Sequence, residues 1–433
     1  MIVGGDWLLT AAGDPIRGGA VLTQGARIQA VGTFAGLTAA HPSVAAEYYR
    51  GCVLTPGLVN AHTHLSLTVL KDLAPSAPLP QWLRGVTKAI LRMGHDDFAA
   101  SASLGALGCL LSGVTVVGDI AYGPESLAAS ADEGLGGVFC WEVLGLDADD
   151  LPGELAEREF PAEIGACTSG RTRCGVSPHT PYTSGPRLLR ATHTVAQKHH
   201  VAYVVHVAES PAERELLRGG TGPFADTARR LAPDFAPPRM SPVAYLESLG
   251  VLDGAVAVHC VDVDAADIAL LKRCARGVVV CPRSNAYLHN GEPPISALYH
   301  AGVTLAIGTD SAASNTDLDL LSEARAVRRI GPTVTSHRLI RMLTADGAKA
   351  LGIDDEFGTL EPGKQADIAV FRTERTPDPE TAVLRQGGRD TLEALCTAGV
   401  WRVRDARPCF PIGSIERAGA RARAIAERAM ENA

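Results

Sequence analysis

The sequence predicts an α/β protein: a TIM-like (β/α)8 barrel with a small β-sandwich domain assembled from both chain termini. Three observations predict it. The 433 residues exceed one small domain and suit a barrel of about 250 or more residues plus an accessory unit. From about Leu54 onward, apolar runs alternate with helical stretches, the pattern of a parallel sheet with crossovers. Before and after that region, short strands broken by glycine and turn residues take over. The implied division is 1–54 for the N-terminal part of the β-domain, 55–355 for the barrel, and 356–433 for its C-terminal part plus a terminal helix.

The N-terminal strands are read at 7–10, 19–22 and 27–32. Eight barrel strands follow, at 52–60, 114–120, 137–144, 173–179, 201–208, 255–261, 277–284 and 303–310, the number that a closed barrel needs. Helices are expected at 99–112, 187–199, 265–275 and 316–329, where apolar residues recur at three- and four-residue spacing. A helix at 338–351 leads to GTLEPGKQADIAVF, a turn and an alternating strand, and then to strands at 394–400 and 401–403. Each end alone is too short to bury a core, so the two ends are expected to share one. The amphipathic stretch 415–432 is expected to dock outside. The long connection 219–252 follows strand five, at the face where such loops are more often functional than idle.

Hydrophobic residues at 46% and charged residues at 20% describe an ordinary globular protein. A net charge of −8, with the C-terminal arginines interleaved with acids, excludes general attraction to nucleic acid or anionic lipid. No basic leader precedes a long apolar run, and no apolar stretch of about 18 residues occurs, so neither secretion nor membrane spanning is expected. Ten scattered cysteines without a CxxC pair read as reduced and mostly buried, which implies the cytoplasm.

The strongest local signal is PGLVNAHTH at the end of the first barrel strand. Residues two apart on a strand share a side, so His62 and His64 both project toward the barrel mouth. Paired imidazoles suit a borderline divalent ion such as zinc or ferrous iron. His179, His206, Glu209, His259 and Asp310 sit at four further strand ends. Singly, each is more often a structural polar residue; their common placement at the catalytic face is the argument. Trp82 is placed to cover a flat ring, or to be buried at a helix start.

The segments PGLVNAHTHL, SPHTPYT, HVAESPAE, VAVHC, CPRSN and IGTDS, in that order, resemble the amidohydrolase superfamily, in the branch of cytosine, guanine and adenosine-derivative deaminases and triazine hydrolases. With GTLEPGKQADIAVF matching the family's β-domain, the resemblance spans nearly the whole chain. It implies His62, His64, His206 and Asp310 as metal ligands, Asp310 also accepting a proton from water, Glu209 as proton shuttle, His259 orienting the water, and His179 contacting substrate. Two-metal members carry a bridging lysine or glutamate on strand four. Residues 173–179 contain neither, which implies one divalent ion, Zn2+ or Fe2+.

Within the branch the pattern is most similar to 6-aminodeoxyfutalosine deaminases of menaquinone biosynthesis. That implies hydrolytic removal of the amine from an adenine nucleoside, with Glu209, His179 and Trp82 at the substrate and Arg283, or Arg214 or Arg218, on its carboxylate arm. Rivals are deamination of S-adenosylhomocysteine, methylthioadenosine or a free base, and triazine dechlorination. A non-catalytic scaffold should have lost ligands, and all are present. The implied partner is a small-molecule substrate, with a homodimer as candidate assembly.

Overall fold

The computed structural model describes residues 1–146 and 170–431. Eight short runs dominated by Val, Ile, Leu, Ala and Gly form eight parallel strands: Leu58–Thr63, Val114–Ala121, Gly136–Val143, Thr172–Pro178, Ala202–Val207, Val256–His259, Gly277–Val280 and Leu305–Ile307. They pair in chain order within one sheet. Both faces of that sheet are covered, which is why the strands read as near-continuous apolar runs. One face, with Val116, Val138, Val204, Val256, Val279 and Ala306, fills the barrel. The other, with Val117, Phe139, Val205, Ala257, Val278 and Ile307, packs on the surrounding helices.

The last strand returns to the first through a bridge between Thr63 and Asp310, where the Asp310 N–H donates to the His62 carbonyl at 3.0 Å. Closure depends on Gly308, because a Cβ there would lie 2.7 Å from the Cβ and carbonyl oxygen of His62. At the opposite end Ala348, Leu351, Ile353 and Phe357 plug the interior.

The termini form one nine-stranded mixed sheet separate from the barrel. Ile2–Leu8 lies parallel to Ala46–Pro56, and Ala46–Pro56 lies antiparallel to Ile368–Arg372. N- and C-terminal strands are thus direct neighbours, as the shared core required. The sequence-based strand at 52–60 straddles two elements: Ala46–Pro56 belongs to the terminal sheet and Leu58–Thr63 to the barrel. Gly57 makes the junction, since a Cβ there would strike Thr115 at 2.1 Å.

Helices His95–Leu110, Pro186–His199, Ala265–Cys274 and Leu320–Ile330 occupy the expected places. The single helix expected at 338–351 is two, Ser336–Met342 and Ala345–Leu351, separated at Thr344. The 219–252 connection is not structureless; it contains helices Ala225–Leu231 and Pro242–Ser248. The terminal helix Gly413–Glu431 packs against His95–Leu110 and Leu79–Ile90. No disulfide joins any two of the nine described cysteines. No described helix is long and apolar enough to cross a membrane.

Candidate metal centre and active site

At the mouth end of the strands, His62, His64, His206, His259 and Asp310 are all buried together. The His62 ring centroid lies 5.0 Å from His64, 4.9 Å from His206 and 5.6 Å from His259. Asp310 Oδ1 stands 3.6 Å from His62 Nε2 and 3.4 Å from His64 Nε2. Two ligand atoms bound tetrahedrally at about 2.1 Å are about 3.4 Å apart, so this spacing suits a shared ion.

Three orphan atoms sharpen that fit: both ring nitrogens of His62 and Nδ1 of His64 are buried without a hydrogen-bond partner. Buried polar groups are seldom left so, and a divalent cation satisfies those that face it. Burial lowers His64 to about 3, and His259 and His179 to about 4, so these rings are neutral near pH 7. Burial opposes ionisation of Asp310, but the neighbouring His62, His64 and His259 rings hold it well below the usual carboxylate range. Neutral imidazoles with an ionised carboxylate are the donor set metal binding requires.

The backbone aims several of these groups. Val256 and Val258 face the barrel interior, so regular alternation would turn His259 outward. His259 instead has φ +75° and Cys260 φ +46°, while Ala208 (φ +51°) and Asp310 (φ +59°) share the left-handed region at other strand ends. Such conformations cost of order 1–3 kcal/mol each and cluster at functional sites.

Neighbours then set the side chains. His206 Nδ1 donates to the His179 carbonyl at 2.8 Å, which fixes its tautomer and leaves Nε2 for the centre. His259 Nδ1 meets Asn285 Oδ1 at 3.0 Å. Ser284 and Ser314 donate to Asp310 Oδ2 at 2.5 and 2.9 Å. Glu209 follows the turn at Ala208, held by Glu213, whose carboxylate accepts the N–H groups of both residues. Glu209 Oε1 accepts from Asn290 Nδ2 at 3.1 Å and lies 3.8 Å from His259 Nε2. Burial, then the charge of Asp310, raises Glu209 well above the ordinary glutamate value, suiting it to carry a proton.

His64, His206, Glu209, His259 and Asp310 line a cavity of about 290 Å3 with Trp82, Leu83, Val86, Leu288 and His179. Trp82 is both buried and part of the cavity wall, on helix Leu79–Ile90. His179 Nδ1 is engaged by Thr183 at 2.8 Å. An adjoining groove of about 410 Å3, between Leu79–Ile90 and Ala225–Leu231, shares Leu83, Thr87 and Leu91 with the cavity.

The arginines expected at a substrate carboxylate are not in the cavity. Arg283 forms two bonds to Asp317, at 2.7 and 3.0 Å. Arg214 is paired with Asp262 and Asp267, and Arg218 with Asp264. The chain's own carboxylates have taken these cations. Sequence reasoning also passed over Ser284, Asn285, Asn290 and Glu142. Ser284 and Asn285 directly follow the arginine singled out in CPRSN, and their only signal was position at a strand end. Asn290 and Glu142 carried no motif.

The chain belongs to the amidohydrolase family, which it matches over residues 53–392. It is accordingly a hydrolase acting on carbon–nitrogen bonds. Among its relatives is a 5-methylthioadenosine/S-adenosylhomocysteine deaminase of Desulforudis audaxviator, 32% identical over 86% of this chain and 85% of the relative. A 5′-deoxyadenosine deaminase of Methanothermobacter thermautotrophicus is 33% identical over 80% and 81%. In fold, the chain is similar to a zinc-bound adenosine deaminase from Xanthomonas campestris, with TM-score 0.84, 24% identity and coverage of 99% and 98%. It is also similar to the Helicobacter pylori aminofutalosine deaminase, with TM-score 0.81, 21% identity and coverage of 92% and 99%.

Proposed function

We propose that this chain is a metal-dependent aminohydrolase that removes the exocyclic amine of an adenine nucleoside bearing an uncharged 5′ substituent, releasing ammonia. The observation that carries the reading is the placement of Glu209 and His259, 3.8 Å apart, beside the His–His–Asp cluster in one small cavity walled by Trp82. His62, His64, His206 and Asp310 are the residues that would hold one divalent ion, zinc or iron. Such an ion lowers the pKa of water to about 7, making hydroxide available at neutral pH.

The protein's own groups do the rest. Asp310 Oδ1 accepts the water's proton, while Ser284 and Ser314 on Oδ2 keep the carboxylate from rotating. Glu209, kept protonated by burial, donates to the ring nitrogen next to the amine-bearing carbon; the departing nitrogen takes the proton that Asp310 removed from water, and the proton of the added hydroxyl returns to Glu209 as the carbonyl forms. His259 is held by Asn285 with Nε2 facing the attack site. Trp82 offers its face to the base, and His179 its second ring nitrogen.

The groove beyond Leu83 and Thr87 gives the 5′ substituent a place. Leu91 is 78% exposed and Leu231 60%, and both line it, so an apolar group gains by covering them. Arg84, Lys88 and Arg230 line the same groove, so the preference for a 5′-deoxy or 5′-methylthio group over the carboxylate arm of 6-aminodeoxyfutalosine rests on these apolar side chains and on the relatives named for deamination of 5′-deoxyadenosine and methylthioadenosine. The free thiols support a cytoplasmic home.

Ammonia release across 5′-deoxyadenosine, methylthioadenosine, S-adenosylhomocysteine, adenosine, 6-aminodeoxyfutalosine and adenine tests the reading. The uncharged 5′-modified nucleosides should give the highest kcat/KM. Highest turnover of the aryl carboxylate or the free base would replace this substrate assignment, and no ammonia from any of them would remove it.

A further inference from the structure

The cavity wall carries a carboxylate that the proposed chemistry does not use. Glu142 ends the third barrel strand and lines the cavity with Tyr122 beside it. One carboxylate oxygen of Glu142 and one ring nitrogen each of His179 and His206 lie within 4.8 Å of one another. Glu142 Oε1 is shielded from solvent and has no hydrogen-bond partner among the described residues. The other cavity carboxylates are engaged: Glu209 by Asn290, Asp310 by two serines and two histidines. No lysine or arginine is among the described residues lining the cavity. A shielded carboxylate oxygen costs free energy until a donor meets it; the Tyr122 hydroxyl stands beside the carboxylate, but no described residue lies within hydrogen-bond distance of Oε1.

We propose that Glu142 is a specificity-determining residue whose free oxygen accepts a hydrogen bond from a neutral N–H or O–H of the substrate and rejects an anionic group at that wall. The inference rests on the nucleoside reading above. A nucleoside offers two such donors, the amine to be displaced and the sugar hydroxyls. Carboxylates commonly pair with ribose hydroxyls, and a site built for a polar group strongly rejects the analogue that lacks it.

The test uses the metal-loaded full chain, with Glu142→Leu and Glu142→Gln assayed on adenosine, 2′,3′-dideoxyadenosine and 6-methoxypurine riboside. Glu142→Leu should lower kcat/KM on adenosine by about 30-fold or more. The loss should shrink at least about tenfold on the one analogue that lacks the paired donor. That analogue is the dideoxynucleoside if the sugar is read and the methoxy compound if the amine is read. Glu142→Gln, which keeps an acceptor oxygen, should recover part of the loss and also relax discrimination against carboxylate-bearing nucleosides. Equal losses on all three substrates overturn the proposal. Metal analysis is the second readout: one equivalent in every variant supports it, whereas metal lost with Glu142 makes the residue a ligand and overturns it. A wild-type enzyme inactive on all three and on 5′-deoxyadenosine and methylthioadenosine removes the nucleoside reading and this inference with it. Activity without discrimination removes the inference alone.

Discussion

The two ends of the same eight strands are built by opposite rules. At one end Ala348, Leu351, Ile353 and Phe357 close the barrel against Val59, Val116, Val138 and Val204 through apolar contacts, with the Arg171 guanidinium over the Phe357 ring. At the other end five titratable side chains are buried together, three ring nitrogens lack partners, and backbone at Ala208, His259, Cys260 and Asp310 is left-handed. The first arrangement gains stability from burial; the second holds desolvated groups that only a metal and substrate complete. Stability and chemistry are separated along the strand axis, as barrels of this class place catalysis at the C-terminal face.

The separation can be broken or sharpened by substitution, beginning with the largest effect. Asp310→Asn should reduce bound metal below about 0.2 equivalents and cut kcat/KM by about 10^4-fold or more, because a ligand and a proton acceptor go together. Elemental analysis and steady-state kinetics decide it, and a fully active variant would refute the metal assignment. Glu209→Gln should keep one equivalent of metal while kcat falls by about 10^2- to 10^4-fold, since the amide preserves shape but carries no transferable proton. Metal loss in that variant would move Glu209 into the ligand set.

Leu351→Ala at the plugged end should cost about 2–5 kcal/mol in denaturant unfolding, with kcat/KM of the remaining folded enzyme within about twofold. A large kinetic effect there would show that the two ends are coupled. Ser284→Ala should weaken metal affinity by about 10- to 100-fold, the usual cost of removing a group that orients a ligand. Chelator competition measures it, and Ser284→Thr should restore most of the affinity. Arg283→Met should change turnover least, kcat/KM by less than about threefold, at a stability cost of about 1–3 kcal/mol, because beyond its partly exposed pair with Asp317 it lies 3.7 Å from the fully buried Glu323, which would lose that cation. Carboxylated and uncharged nucleosides should respond alike, and a selective loss on the carboxylated one would return Arg283 to the site.

Much of this protein was legible before folding was considered. Apolar runs separated by helical periodicity announced eight strands and their order, because a strand covered on both faces has no polar side to show. The HxH pair and the residues at later strand ends declared the candidate centre, since a parallel barrel brings all its strand ends to one mouth. What the sequence could not announce depends on groups distant in the chain. Whether Arg283 is free turns on Asp317, 34 residues on, and whether the Asp310 carboxylate is held turns on Ser284, 26 residues back. The direction of His259 rests on a backbone angle that breaks strand alternation, and whether Glu142 Oε1 is bonded turns on which described residues the fold brings within its reach. Periodicity is a local property and survives in the sequence, whereas pairing, strain and desolvation are properties of what is brought near, and only the tertiary structure decides them.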